Sequence, residues 1–304
     1  MNKQKLNKIL TLFKNSVMDF MDDNAMKFSA ALSYYTIFAL PPLIILIISL
    51  SGFFFEQKEV SDYFYSQITD LIGENTAIEL KTAMEKVTVN REGILPTIIG
   101  VGILLFSASG VFAEIQSSIN YMWGFTAKPN KSIIRLVKNR LLSFAMIASV
   151  GFVLLVSLML NSIVSLFYNY LASFFAEETL HLVNILNNIL VFSIITLLFA
   201  LIFKTLPNGK IRWKDTFVGA AFTAILFMIG KFGIGLYLGT TAQSSLYGAA
   251  GSIIIMLIWV YYSAMILYFG AEFTKNYALL YGEKIRAGDY SLEIEKNVIK
   301  KEDY

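Results

Sequence analysis

Apolar residues fill this chain in long blocks, separated by short polar intervals rather than by the two-residue alternation of a half-buried strand. A helix needs about 20 apolar residues to cross a bilayer. Blocks of that length fall at about 26–52, 94–123, 141–170, 181–203, 216–239 and 247–272, each set off from the next by charge, Pro, Gly or Asn. They predict an all-α polytopic membrane protein with six transmembrane helices in one membrane domain over 1–276. An even number of spans puts both termini on the same side.

The polar intervals carry patterns of their own. Leu6, Ile9, Leu10, Phe13, Val17, Phe20 and Met21 recur three and four residues apart, with Lys3, Lys5, Lys8 and Lys14 beside them. This spacing predicts an amphipathic helix over 1–24, lying along the inner interface or docked on the inner loops, that turns into the first span near Asp22-Asp23-Asn24. Between the first two spans, 53–93 holds one apolar stripe through Val60, Phe64, Ile68, Leu71 and Ile72. A second runs through Ala77, Leu80, Met84 and Val87. Gly73-Glu74-Asn75 divides them, and Thr76 with Glu79 has capping-box spacing, so an extracytoplasmic helical hairpin is expected. The segment 277–304 is charged and reads as a cytoplasmic tail, helical in part with a frayed end. No strong internal repeat is evident.

Composition supports the membrane reading. Apolar residues make up 56% of the chain and charged residues 15%, against roughly 25% charged in soluble proteins. Basic residues sort by loop: Lys128, Lys131, Arg135, Lys138, Arg140, Lys204, Lys210, Arg212 and Lys214 fall in the intervals on the terminal side. Only Lys58, Lys81, Lys86 and Arg91 fall on the other, which places both termini in the cytoplasm. Topology and contact with anionic lipid account for these charges, so membrane lipids are the expected partners and nucleic acid is not. The first apolar block is too long for a secretory signal and is read as a retained anchor.

Several stretches resemble the YihY/BrkB family of bacterial inner-membrane proteins, formerly mislabelled ribonuclease BN. They are ALSYYTIFALPPL (Ala31–Leu43), SINYMWGF (Ser118–Phe125), LPNGKIRWKDTFVGA (Leu206–Ala220) and, most specifically, YGAAGSIIIMLIWVYYSAMILYFGAEFT (Tyr247–Thr274). The resemblance covers about 20–280. It implies a six-helix protein of the cytoplasmic membrane connected with envelope integrity, serum resistance and lipid export. It brings no catalytic residues with it.

Catalytic chemistry finds little material here. The chain has no cysteine and one histidine, His181, so neither a thiolate nor a multi-histidine metal centre can form. No GxxxxGK[ST] loop is present to hold a nucleotide. The expectation is a non-enzymatic protein without cofactor: a transporter or flippase-like exporter of a lipid-like or amphipathic substrate, or else an envelope-integrity scaffold. A membrane ribonuclease is the least favoured reading. Glycine surfaces such as Gly235 to Gly239 suit helix packing and are compatible with an oligomer.

Ionisable groups inside the apolar blocks are the candidate site, because a charge in lipid is costly unless paired or hydrated. Glu114 and Glu272 lie in the inner halves of the second and last spans, and Lys231 lies towards the outer half of the fifth. With Gln116, Ser107, Ser109 and Ser117 beside it, Glu114 reads as part of a polar pathway. Alternatively it pairs with Arg140 or Lys204. Glu272 has Lys275 close by, and Lys231 can also snorkel on its flexible stem. A second candidate is a break in the first span, as a kinked or interrupted helix. Pro41 and Pro42 lack N–H donors, which frees the carbonyls of Ile37 and Phe38 and makes Leu40 the expected break point. Ser33 and Thr36 are placed to answer those carbonyls, and the Ser29–Tyr35 half is expected to face protein.

Overall fold

The computed structural model describes residues 3–51, 94–128, 140–153, 177–241, 249–289 and 291–294, with residue 156 and part of 61–82. Helices α1 (Lys3–Asp22), α2 (Ala25–Ser51), α3 (Ile94–Met122), α4 (Arg140–Val153), α5 (Glu177–Thr205), α6 (Trp213–Thr241) and α7 (Ala249–Tyr281) follow in chain order. Among the described residues, four segments are long and apolar enough to cross a membrane: Ala25–Ile45, Asn188–Thr205, Trp213–Ile234 and Ile253–Tyr281. These are the first, fourth, fifth and sixth predicted blocks. The second block forms the single helix α3, and α4 is the described part of the third; the rest of that block lies outside the described residues. Those residues of 61–82 that are described are helical, while the turn expected at Gly73-Glu74-Asn75 falls mostly outside them.

The helices neighbour one another in the order α3, α2, α7, α6, α5, with α1 laid on α7. Helix α4 bridges the two ends of that row. Its Arg140 donates to the Phe106 carbonyl of α3, and the Thr205 hydroxyl of α5 meets its Met146 sulfur. The principal apolar core gathers Ala108, Phe112, Ile119, Phe203, Leu206 and Tyr268 among its members. A smaller cluster of Ile44, Ile45, Leu80, Met256 and Val260 seats the 61–82 segment on α2 and α7.

The α6–α7 seam rests on a repeat that the apolar pattern conceals. Residues 219–223 read GAAFT and 270–274 read GAEFT. The helices run antiparallel, so each glycine meets the other motif's threonine: a Cβ on Gly219 would strike Thr274, and one on Gly270 would strike Thr223. Each hydroxyl is satisfied at home, Thr223 donating to Gly219 O (2.7 Å) and Thr274 to Gly270 O (2.6 Å). The two phenylalanines, Phe222 and Phe273, stack at 3.8 Å. Without a Cβ the backbones approach closely, which is how small residues hold helices together where lipid is as apolar as a side chain.

Of the kink or interruption expected at the prolines, helix α2 shows no interruption. It runs through Pro41 and Pro42, and residues on both sides, including Leu40, are helical. Proline disfavours helical geometry before it but does not forbid it, and here α3 and α7 pack along the same helix. Nor do the hydroxyls serve Ile37 and Phe38. Ser33 donates to Ala30 O (2.8 Å) and Thr36 to Leu32 O (2.7 Å). Of the half expected to face protein, Ser29, Leu32 and Ser33 are buried, whereas Tyr34 and Tyr35 are exposed.

Helix α1 forms over Lys3–Asp22 and packs against α7. Leu12, Ser16 and Phe20 are buried, and the Phe13 ring packs on Phe222 and Phe273. Leu6, Leu10, Val17, Met18 and Met21 remain exposed. The turn into α2 falls at Asp23-Asn24, where Asn24 takes φ 57°, a conformation Asn tolerates better than most residues.

At the terminus-bearing end the chain becomes irregular, and the tail is helical in part, as expected, over Tyr277–Tyr281. Beyond Tyr281 its described residues are extended, not helical. Strand β1 (Phe125–Ala127) pairs antiparallel with β4 (Ser291–Glu293), and β2 (Gly209–Lys210) pairs antiparallel with β3 (Arg286–Ala287). The tail thus straps the loop after α3 to the loop between α5 and α6. Gly124 makes the entry to β1 possible with φ 73°.

Candidate functional site

Two polar groups are built into the half of the bundle that carries the termini. The first centres on Lys275 of α7. Its Nζ lies 2.5 Å from Glu272 Oε2, 3.1 Å from Asp19 Oδ2 and 3.4 Å from Asp23 Oδ2, and it donates to Met122 O at 3.1 Å. Asn276 adds a hydrogen bond to Asp19 (2.9 Å). One ammonium therefore holds α1, α3 and α7 together, facing three carboxylates. Glu272 is fully buried, and its contact with Lys275 is an ion pair rather than an aligned hydrogen bond. Among the described residues neither of its oxygens has a hydrogen-bond partner. Sequence reasoning paired Glu272 with Lys275 but missed Asp19 and Asp23. The available signal was their spacing of four residues across the acidic end of an amphipathic helix whose lysines all precede them.

The second group surrounds Glu114 of α3. Eight residues before Met122, it lies about 12 Å up the helix axis from that end. It is half-buried and accepts from Ser118 Oγ at 3.3 Å, one turn below. Tyr268 of α7, fully buried, brings its hydroxyl beside Ser118 and into the field of Glu114. That hydroxyl makes no aligned hydrogen bond among the described residues. The two bases weighed as partners are engaged elsewhere. Arg140 packs over the Phe106 ring and donates to Phe106 O, while Lys204 donates to Ile211 O and sits over Trp213. Among the described residues Glu114 has no ion pair.

Gln116 is not part of this group. It projects from another side of α3 and donates from Nε2 to Leu206 O at 2.6 Å. One turn on, Asn120 Oδ1 accepts from Asn208 N at 2.7 Å. Together they anchor the LPNGK loop, whose Asn208 carbonyl also receives Gly288 N and Ser291 Oγ from the tail. Beyond that loop, Arg212 bonds Asp215 (3.1 Å) and Glu283 (3.0 Å), and the Asp215 hydrogen bond raises the guanidinium above its usual range.

Lys231 lies apart from all of these. It stands exposed on α6, about 27 Å along the axis from Trp213, against a hydrocarbon thickness of roughly 30 Å. With Phe227, Trp259 and Tyr262 it lines a shallow crevice between α6 and α7. The predicted polar residues therefore form no single path: Glu114 and Glu272 share one half of the bundle and Lys231 occupies the other. No group of three or more His, Cys, Asp or Glu able to hold a metal occurs among the described residues.

The family model described as Virulence factor BrkB matches residues 16–289. The chain belongs to that family. The matched range includes both polar groups, the α6–α7 seam and the tail up to Asp289, so this architecture lies within the BrkB region. Among similar proteins, a UPF0761 membrane protein of Aeromonas salmonicida is 26% identical over 261 residues, covering 84% of each chain. A UPF0761 membrane protein of Saccharophagus degradans is 25% identical over 88% of this chain and 59% of its own length. One of Pseudomonas aeruginosa is 26% identical over 84% and 60%. The chain thus spans about three fifths of the latter two. No solved structure matches it. BrkB membership and the apolar helices make this an integral membrane protein.

Proposed function

We propose that this BrkB-family protein is a six-span transporter of the bacterial inner membrane, with both termini cytoplasmic, that moves a lipid-like or amphipathic substrate. The observation that carries this reading is the Glu114–Ser118–Tyr268 group. A carboxylate with no paired cation among the described residues, a hydroxyl and a buried phenol meet about 12 Å along α3 from its end at Met122, and ionisable groups within apolar spans are by default read as functional. Such a group can take up a proton or a polar headgroup as the rest of the substrate stays in lipid. The cytoplasmic placement of the termini is supported by Lys128, Lys204, Lys210, Arg212, Lys214, Lys284 and Arg286 around the tail strap. Movement in this reading is non-enzymatic and uses no cofactor, ATP site or nucleic-acid partner.

Proteoliposomes carrying a fluorescent-headgroup phospholipid test it. Glu114→Gln is expected to slow protein-dependent transfer at least tenfold while leaving the melting temperature near wild type. Equal rates in the two proteins would remove Glu114 from the mechanism. A scaffold role is favoured by a separate observation, the seating of Leu80 among Ile44, Ile45, Met256 and Val260. In that case deleting 56–91 abolishes envelope integrity and Glu114→Gln does not.

A further inference from the structure

Helix α1 divides its surface into three sides. Leu12, Ser16 and Phe20 form the line buried in the bundle. Roughly a third of a turn round the helix, Leu6, Leu10, Val17 and Met21 form a second line that stays 42–59% exposed. Asn7, Thr11 and Lys14 occupy the third side and are exposed too. An apolar line beside a polar one, both outside the protein, suits a helix at the boundary between hydrocarbon and water. The bundle continues the apolar line. Phe13 lies at its edge, 41% exposed, and packs on Phe222 of α6 and Phe273 of α7. Val218, one turn before Phe222, is exposed on α6, a helix apolar enough to cross the membrane. Charge is sorted along α1 as well. Its lysines, Lys3, Lys5, Lys8 and Lys14, all precede its first acid, Asp19. Lys5, Lys8 and Lys14 are exposed, and none has an ion pair among the described residues. Asp19 and Asp23 are drawn to Lys275, which leaves Asp22 as the exposed acid at the far end. An occupant of this surface has to be apolar within and anionic at its rim, which is the order of a phospholipid leaflet.

We propose that α1 docks on anionic phospholipid of the leaflet on the terminus-bearing side, with Leu6, Leu10, Val17 and Met21 among the acyl chains and Lys5, Lys8 and Lys14 drawn to the phosphates. Helix α7 holds α1 along its buried line, and the leaflet covers the adjacent one. The apolar line supplies contact with any lipid. The lysines supply a preference for negative charge, which weakens as ionic strength rises. None of the Glu114 group takes part, so docking and transport can each fail alone.

The chain has no cysteine, so a single introduced one can carry a fluorophore. The full chain is labelled at Val17→Cys on the apolar line, at Thr11→Cys on the polar side, or at Ile229→Cys on the exposed face of α6 as a reference. Each is placed in nanodiscs of one equal mixture of phosphatidylcholine and phosphatidylglycerol, in which either lipid in turn bears brominated acyl chains that quench on contact. Val17→Cys is expected to be quenched at least threefold more than Thr11→Cys. Brominated phosphatidylglycerol should quench Val17→Cys at least twofold more than brominated phosphatidylcholine does, and Ile229→Cys should respond to both alike. Combining Lys5→Gln, Lys8→Gln and Lys14→Gln should abolish the preference, and Lys5→Arg, Lys8→Arg and Lys14→Arg should retain it. Equal quenching at Val17→Cys and Thr11→Cys, or at Val17→Cys by the two lipids, overturns the proposal. So does a preference that survives the glutamine substitutions, or efficient disulfide crosslinking of unlabelled Val17→Cys between copies in vesicles. A melting curve for each variant separates loss of docking from loss of fold.

Discussion

Around Lys275 three helices meet through charge: Asp19 and Asp23 come from α1 and the α1–α2 turn, Met122 from the end of α3, and Glu272 from α7 itself. Around Leu80, at the other end, the described contacts come from Ile44, Ile45, Met256 and Val260, with Ile37, Leu40, Tyr65 and Trp259 packed against them. The two ends also differ in how they treat polar atoms. Trp123 donates its indole N–H to Ala271 O at 3.1 Å, whereas that of Trp259 has no partner among the described residues. The terminus-bearing end is cross-tied by directional bonds between elements distant in sequence. Among the described residues, the contacts around Leu80 at the opposite end are apolar packing. The difference suits a protein that holds its terminus-bearing end fixed.

The largest expected effect comes from cutting the tie at its centre. Lys275→Met removes the ammonium and leaves Glu272 fully buried with no compensating charge. Breaking a buried pair from one side costs about 3–5 kcal/mol, so a drop in melting temperature of many degrees is expected in detergent. Adding Glu272→Gln should recover much of it, because the stranded charge is then gone. If Lys275→Met alone melts like wild type, the polar end is not held by charge and the contrast between the ends falls.

The sequence made some of this legible and hid the rest for identifiable reasons. Apolar block length exposed the helices, since lipid demands that length whatever the tertiary contacts. Glu272 and Lys275 were visible as neighbours because three residues make one helical turn. Asp19 and Asp23 were not, as their meeting with Lys275 crosses about 250 residues and is fixed only when α1 lies on α7. The GAAFT and GAEFT pair escaped because the glycine reading sought GxxxG within one helix, while the functional unit is one glycine and one threonine from each of two. Gln116 was misassigned to Glu114 by closeness along the chain, although two residues in a helix point to different sides. Strands of two or three residues have no period to read, so the tail strap was illegible. The prolines pointed to a kinked or interrupted helix, and α2 is uninterrupted through them.

A smaller effect sharpens the comparison within one helix. At Gly219, near the tied end of α6, an added side chain meets Thr274 on α7; at Gly233, towards the other end, nothing lies within 4 Å. Overpacking typically costs about 1–3 kcal/mol. Gly219→Val should therefore lower the melting temperature clearly and Gly233→Val should leave it near wild type. The same result for Gly270→Val, through Thr223, would confirm that the seam is reciprocal. Similar losses at Gly219 and Gly233 would mean that valine's helix propensity, not packing, sets the cost.

The smallest effect concerns the strap itself. Lys210 and Asp289 pair at 2.6 Å, but both side chains are exposed, at 65% and 75%. Exposed pairs are worth less than about 1 kcal/mol and often nothing measurable. Ser291, by contrast, is buried and donates to Asn208 O at 3.0 Å, beside the β1–β4 and β2–β3 pairings. If those directional bonds hold the tail, Lys210→Ala should change limited proteolysis of 282–294 by less than twofold, and raised salt should do no more. Ser291→Ala should accelerate cleavage several-fold, because it leaves the loop-to-tail junction one donor short. The reverse order of sensitivities would make the strap electrostatic, and the tied end would then loosen with ionic strength, as surface charge pairs do.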